Sequence, residues 1–461
     1  MELASCLAEA CQSTAKDTIA ANLLTPLTSA AERYPCILKA SPALIARGVA
    51  QTAALLGVPL ETYLDVVLTT PRLFTRPPEK TATKIDAIAA ETGISRTDCV
   101  AAVLRSPSLL YARPATIAQN IRDVALGLGV NESDYLKTAI RQPQLLTSRA
   151  DTIAANVASA VGVLDVDRKS YIRAALSRPD LLNQDGQKQA HNIARLSELT
   201  GISPANCITA ALRSATIFSG DPDRLASNIF EAAARLGIAD DQYRKAVLRQ
   251  PTLFHFKPDT IVANVQAVIK HFGLPLDRYC RCLVNVPVLL YSKPATVISR
   301  IVETAQLVGC SPVELAHAAL NASALFLTRP DRVYRNIQDG STATGIAYAD
   351  YLALALVAPQ LFLTNAALIP EKLALLKAIR RAMRLSDAPL HTISAQPWSL
   401  TYAASRLEQR LALARLYPGR YSYLTLLSMP AAKAARLMSE RPHQPISTPL
   451  IAAPFAAERS L

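Results

Sequence analysis

The stretch RQPTLFHFKPDTIVANV, residues 249–265, sets two prolines seven residues apart around Leu253 and Phe254, then lodges Asn264 inside an apolar run. The same order returns at 105–121 (RSPSLLYARPATIAQNI), at 141–157 (RQPQLLTSRADTIAANV) and, more loosely, at 321–337 (NASALFLTRPDRVYRNI). The anchor prolines are Pro35, Pro71, Pro107, Pro143, Pro179, Pro251, Pro287 and Pro359, and every slot lies 36 residues from the next. Ala215 and Ser323 fill the two slots without proline. A fixed period of this size is the mark of a solenoid, in which each unit buries its apolar face on its neighbours.

Counted from the anchor, positions two and three are large and apolar in all nine units from Pro71 to Pro359. Position seven is often a second proline, and position 22 is usually glycine, a series that Asp165 breaks. Proline is tolerated in the first turn of a helix, where its missing N–H has no partner to lose. Glycine accepts the left-handed backbone that closes a helix. One helix of about 14 residues, roughly 21 Å, is therefore predicted between these marks. A second, often carrying Tyr in its first half, runs to the next anchor proline and stops there. Leu-Leu or Leu-Phe between the prolines predicts one 3₁₀ turn. The fold expected is all-α, an α-solenoid or superhelix of about nine repeats, each two α-helices plus a short 3₁₀ turn. The boundaries are an N-terminal cap over 1–34, the array over 35–396, capping helices over 397–440 and a flexible tail over 441–461.

The formal net charge is +13, unevenly spread. From Lys372 to the end there are 13 Lys+Arg against 4 Asp+Glu, whereas the first 371 residues hold 36 against 32. A basic end on a near-neutral array points to an anionic partner, nucleic acid before membrane. The uncharged run from Leu352 to Pro370 contains Pro359, Gln360, Thr364 and Asn365 in repeat register, so it reads as core rather than as a membrane span. The eight cysteines form no C-x-x-C pair, which predicts a reducing compartment, cytoplasmic or similar, and no zinc. The N-terminal residues show neither a signal-peptide nor a clear transit-peptide pattern, since Glu2, Glu9 and Asp17 interrupt them. A monomer is expected.

No nucleophile, acid–base pair or phosphate loop stands out, and the six histidines are scattered, so neither an enzyme nor a cofactor is predicted. Basic residues do recur in register. Two before the anchor lie Arg105, Arg141, Arg213 and Arg249. There they either complement the helix dipole or bind phosphate. At position six lie Arg113, Arg149, Lys257, Lys293 and Arg329, interrupted by Asp185 and Asp221. A cation just before a helix sits at the unfavourable pole, so stability does not ask for it, and phosphate gripping does. The segment EKLALLKAIRRAMRL, 371–385, adds Lys372, Lys377, Arg380, Arg381 and Arg384, as a solvated face or a phosphate-binding patch. Asn120, Asn156, Asn192, Asn228, Asn264 and Asn336 recur at position 13 beside the buried face. They form either an internal hydrogen-bond ladder or a row of ligand contacts.

The proline, the Leu-Leu or Leu-Phe that follows and the Leu-Gly near the helix end resemble the mitochondrial transcription termination factor (mTERF) family. So does the closing segment QPWSLTYAASRLEQRLALARLYPG, 396–419, around Ser405, Arg406, Leu407 and Arg410. The resemblance implies a superhelix that binds DNA or RNA and acts in transcription or RNA metabolism. The alternative is a protein-interaction scaffold that uses the same concave surface.

Overall fold

The computed structural model describes residues 1–11, 16–385 and 396–439. The expected flexible tail over 441–461 lies outside them. The chain is an all-α solenoid, and no strand occurs among the described residues. It divides into two compact units, residues 1–227 and 228–461.

In the first unit, two helices, Glu2–Ala10 and Lys16–Arg33, precede the repeats. Each repeat then runs as anticipated: a 3₁₀ turn such as Pro107–Tyr111, a first helix such as Pro114–Leu128, and a second such as Glu132–Arg141. First helices pack on first helices and second on second, which makes two layers. The second unit repeats the scheme from Asp240–Arg249 and Pro258–Phe272 onward. It closes with helices Ile369–Ala382, Ala404–Leu416, Tyr423–Ser428 and Ala431–Ser439.

The first helix is 15 residues long in each full repeat, one more than the spacing suggested. Its proline stands at the first helical position, and at its end Gly129 adopts φ 69°. There Val130 N–H donates to Ala125 O and Gly129 N–H to Leu126 O, the paired closure that a left-handed residue permits. Asp165 takes the same place at φ 50°, a conformation that a short polar side chain tolerates better than most. The turn residues Leu109, Leu145, Leu181, Leu253 and Leu289 are almost wholly buried, as are the tyrosines Tyr63, Tyr135, Tyr171, Tyr243, Tyr279 and Tyr351. Burying one such leucine contributes about 1.5–3 kcal/mol, so every joint adds to the cohesion of the array.

The two joints without an anchor proline behave differently. Without a proline at Ala215, the joint becomes one α-helical turn, Thr216–Ser219, in place of 3₁₀. At Ser323 the 3₁₀ turn persists over Ser323–Leu327. The cap also reuses the joint: Pro397–Thr401 is a 3₁₀ turn, entered through Gln396 at φ −142°, ψ 69°, much as Ser106 enters Pro107–Tyr111 at φ −141°, ψ 80°. The apolar run around residue 352 is core, with Leu352, Ala355, Leu361 and Phe362 buried. Among the described residues no single helix is long and apolar enough to cross a membrane.

Candidate nucleic-acid interface

The two basic stripes differ in what their side chains do. In the first unit, Arg105 at the end of its second helix donates from Nη2 to Ile140 O at 2.6 Å, 35 residues on. Arg141 reaches Ser177 O at 3.3 Å and also Leu176 O. In the second unit, Arg249 donates to Asn285 O at 3.4 Å. Arg213, in the first unit, also has an interaction partner. Each of these four carbonyls lies at the end of the next repeat's second helix, among the acceptors a helix leaves unsatisfied. The stripe therefore ties neighbouring helix ends together, and its charge sits at the favourable pole of each dipole. It starts earlier than the spaced arginines suggest: Arg33 donates to Leu68 O at 2.8 Å and Thr69 O at 3.2 Å.

Position six is the residue that caps the N-terminus of each first helix. Arg113, Arg149, Lys257, Lys293 and Arg329 all stand there with extended backbone, and all are exposed. A residue at this place ordinarily offers a side-chain oxygen to the free N–H groups of the first turn. A cation cannot, and none of the five makes such a bond. Asp185 does so in its repeat, accepting from Gln187 N–H at 3.2 Å, and Asp221 accepts from Asp223 N–H at 3.2 Å. The two interrupting aspartates thus follow the ordinary rule and the five cations break it. Helix amides left open beside a positive side chain suit an anion.

An acid stands two residues after three of the five. Asp151 lies 3.8 Å from Arg149, with both fully in solvent. Asp259 is drawn to Arg235 at 2.6 Å and Asp331 to Arg335 at 3.0 Å, each acid two residues after a stripe cation. Arg113 and Lys293 have no acid in the first turn that follows them. Aromatic rings that spacing did not single out stand beside the stripe. Phe256 and Tyr291 stack with centroids 4.9 Å apart next to Lys257 and Lys293, and Arg76 lies 5.5 Å from the ring of Tyr111, close to Arg113 in sequence.

The position-13 asparagines mostly bond inward. Asn156, Asn192, Asn228 and Asn336 donate to Leu182 O, Phe218 O, Phe254 O and Phe362 O at 2.8–3.0 Å, each 26 residues on. Asn120 and Asn264 make no such bond. The joints they face, Pro143–Leu146 and Pro287–Leu290, are one residue shorter, and each ends in a residue near ψ 0° instead of an extended one. In both, a serine folds back: Ser148 onto Gln144 O at 3.0 Å and Ser292 onto Val288 O at 2.8 Å. Asn120 instead borders a hollow of about 480 Å³ with Asp123, Arg149 and Asp151.

At the C-terminal end the basic segment divides. Lys377, Arg381 and Arg384 are exposed, and Arg380 lies 5.4 Å from the ring of Tyr423. Lys372 corrects the sequence reading of that segment: it is buried and donates to Leu400 O at 2.8 Å. Desolvation lowers its pKa below the usual lysine value, so it belongs to the core and not to a surface patch. The position-12 residues, from Gln119 to Arg335, are all exposed. Among the described residues no three His, Cys, Asp or Glu side chains gather as metal ligands. Cys280 and Cys282 are buried thiols directed at separate carbonyls, Leu236 O and Leu320 O.

The mTERF family model matches residues 126–338, a span that holds Arg149, Lys257, Lys293 and Arg329. Over that span the chain is similar to the mTERF helical-repeat proteins, for which nucleic-acid binding is typical. No curated protein matches the chain.

Proposed function

We propose that the repeats grip nucleic acid by its sugar–phosphate backbone, through Arg113 and Arg149 in the first unit and through Lys257, Lys293 and Arg329 in the second, where Lys377, Arg381 and Arg384 add to the contact. The observation that carries this is the inversion at the helix N-termini. Five first helices exchange a capping oxygen for an exposed cation, although a Ser or Asp there would stabilise each by about 1 kcal/mol. Phosphate oxygens would satisfy both the open amides and the cations, and such contacts position a strand without reading its sequence. Service in transcription or RNA metabolism is the setting this activity suits.

Fluorescence anisotropy with random duplex DNA, single-stranded DNA and RNA, each at several salt concentrations, tests the reading. Submicromolar binding that weakens steeply with log salt is expected for at least one of them. The same surface as a protein-binding scaffold is favoured by Asp185 and Asp221, which break the stripe. No binding to any of the three at low salt is the outcome that would leave that second reading standing.

A further inference from the structure

The C-terminal cap buries positive charge with nothing negative to meet it. Arg410, on helix Ala404–Leu416, heads the largest fully buried side chains and is 0% exposed. Its Nη2 donates to Met429 O at 2.6 Å, while Nε and Nη1 are buried with no acceptor. Arg406, one turn earlier, directs its own Nη2 at the same carbonyl, 3.5 Å away, and at Leu427 O, 3.4 Å away. Its guanidinium lies 3.9 Å from the centre of the Tyr402 ring, and its Nε is likewise buried without a partner. No carboxylate among the described residues forms an ion pair with either arginine, and Glu408, the acid of this helix, is exposed.

Two guanidiniums converging on one neutral oxygen is an arrangement that desolvation and mutual repulsion both oppose. Both effects push Arg410 below the ordinary arginine value. Holding the end of helix Tyr423–Ser428 accounts only for the Nη2 groups, which donate to Leu427 O and Met429 O. Three buried nitrogens remain, on two forks that lie side by side. Planar forks of this kind match the paired oxygens of an oxyanion.

We propose that Arg406 and Arg410 form a site for a single phosphate-class oxyanion in the C-terminal cap, entered from the half-exposed side of Arg406. Complete burial of Arg410 limits the occupant to one small anionic group and excludes a continuous backbone. That group is either free inorganic phosphate or the terminal phosphate of a nucleic-acid strand. The site shares no residue with the position-six stripe and does not rest on the function proposed for it.

The test uses the full chain, titrated calorimetrically with inorganic phosphate against chloride at matched ionic strength, with thermal unfolding in parallel. One saturable site is expected, together with a Tm that climbs with log phosphate. Arg406→Gln should weaken phosphate about tenfold, as loss of a charge-assisted bond implies. Because Arg410→Met removes a fully buried side chain and can fail to fold, Arg406→Gln carries the test. The triple variant Lys257→Glu/Lys293→Glu/Arg329→Glu should bind phosphate normally, which separates this site from the stripe. A wild-type preference for a 5′-phosphorylated oligonucleotide over its unphosphorylated form, lost in Arg406→Gln, would identify the strand end as the source. Equal binding of the two, with inorganic phosphate still saturating, would identify the free anion. Phosphate heats no larger than those of chloride, or phosphate affinity unchanged in Arg406→Gln, would overturn the proposal.

Discussion

The arginines that end the second helices and the cations that open the first helices have equal regularity in sequence and opposite fates in structure. Arg105, Arg141 and Arg249 donate to carbonyls of the following repeat. Lys257, Lys293 and Arg113 meet no acceptor at the helix start they occupy. Periodicity reports only that a position matters in every repeat. The pole of the helix at which a charge stands says whether the fold already uses it.

Alkali should break the framework that carries both stripes. Burial pushes the phenols of Tyr63, Tyr171 and Tyr351 up to about 12, and those of Tyr135, Tyr243 and Tyr279 are raised as well. A phenol whose folded pKa is raised keeps its full stabilisation below its unfolded value near 10 and loses it as pH climbs toward the folded value. Each group then removes about 1.4 kcal/mol per pH unit. Denaturant melts followed by circular dichroism should show stability unchanged up to about pH 9 and falling steeply above 10. A flat profile to pH 11 would contradict buried neutral phenols.

Charge reversal separates the stripes next. Lys257→Glu/Lys293→Glu/Arg329→Glu should weaken nucleic-acid binding by about a hundredfold or more and flatten its salt dependence by roughly three phosphate contacts, with Tm little changed. Arg141→Met should do the reverse, costing about 1–3 kcal/mol in denaturant melts and leaving affinity within about twofold. If Arg141→Met weakens binding as much as the triple variant does, the division between the stripes fails.

The aspartate repeats offer a gain of function. Asp221→Lys should cost about 1 kcal/mol, the value of a lost cap, and should strengthen binding and steepen its salt slope by about one contact. The smallest effect compares two asparagines. Asn192→Ala should lose about 1 kcal/mol with its bond to Phe218 O, whereas Asn264→Ala, which has no such bond, should be nearly neutral. Parallel urea titrations resolve the pair, and equal losses would remove the distinction.

Most of the repeat could be read from proline, glycine and paired apolar residues, because these act through local backbone rules that hold wherever the motif occurs. The first helix from Pro258 and its end at Gly273 follow from two residues alone. What sequence could not supply depends on the neighbouring repeat. The carbonyl that Arg105 reaches lies 35 residues away, and nothing near Arg105 in the sequence names it. Among the cations of its segment, Lys372 reads from sequence as part of a surface face. Its burial is decided by the later turn at Pro397–Thr401, whose Leu400 O receives it. The short joints after Asn120 and Asn264 had a faint sign in Ser148 and Ser292, which recur at position five of those two repeats alone.

The arginine ladder also gives the array a polarity. Every tie runs from an earlier repeat to a later one, so the two ends of a shortened array are not equivalent. Removing repeats from the front strips donors and leaves carbonyls that water can reach. Removing them from the back leaves a guanidinium facing solvent at a helix end, its acceptor gone. Growth by whole-repeat duplication preserves every tie, because the donor and acceptor move together, whereas a one-residue insertion between a donor and its acceptor breaks the spacing of that one tie. The unvarying 36-residue spacing is what such a one-way coupling would enforce on a lineage built by copying units.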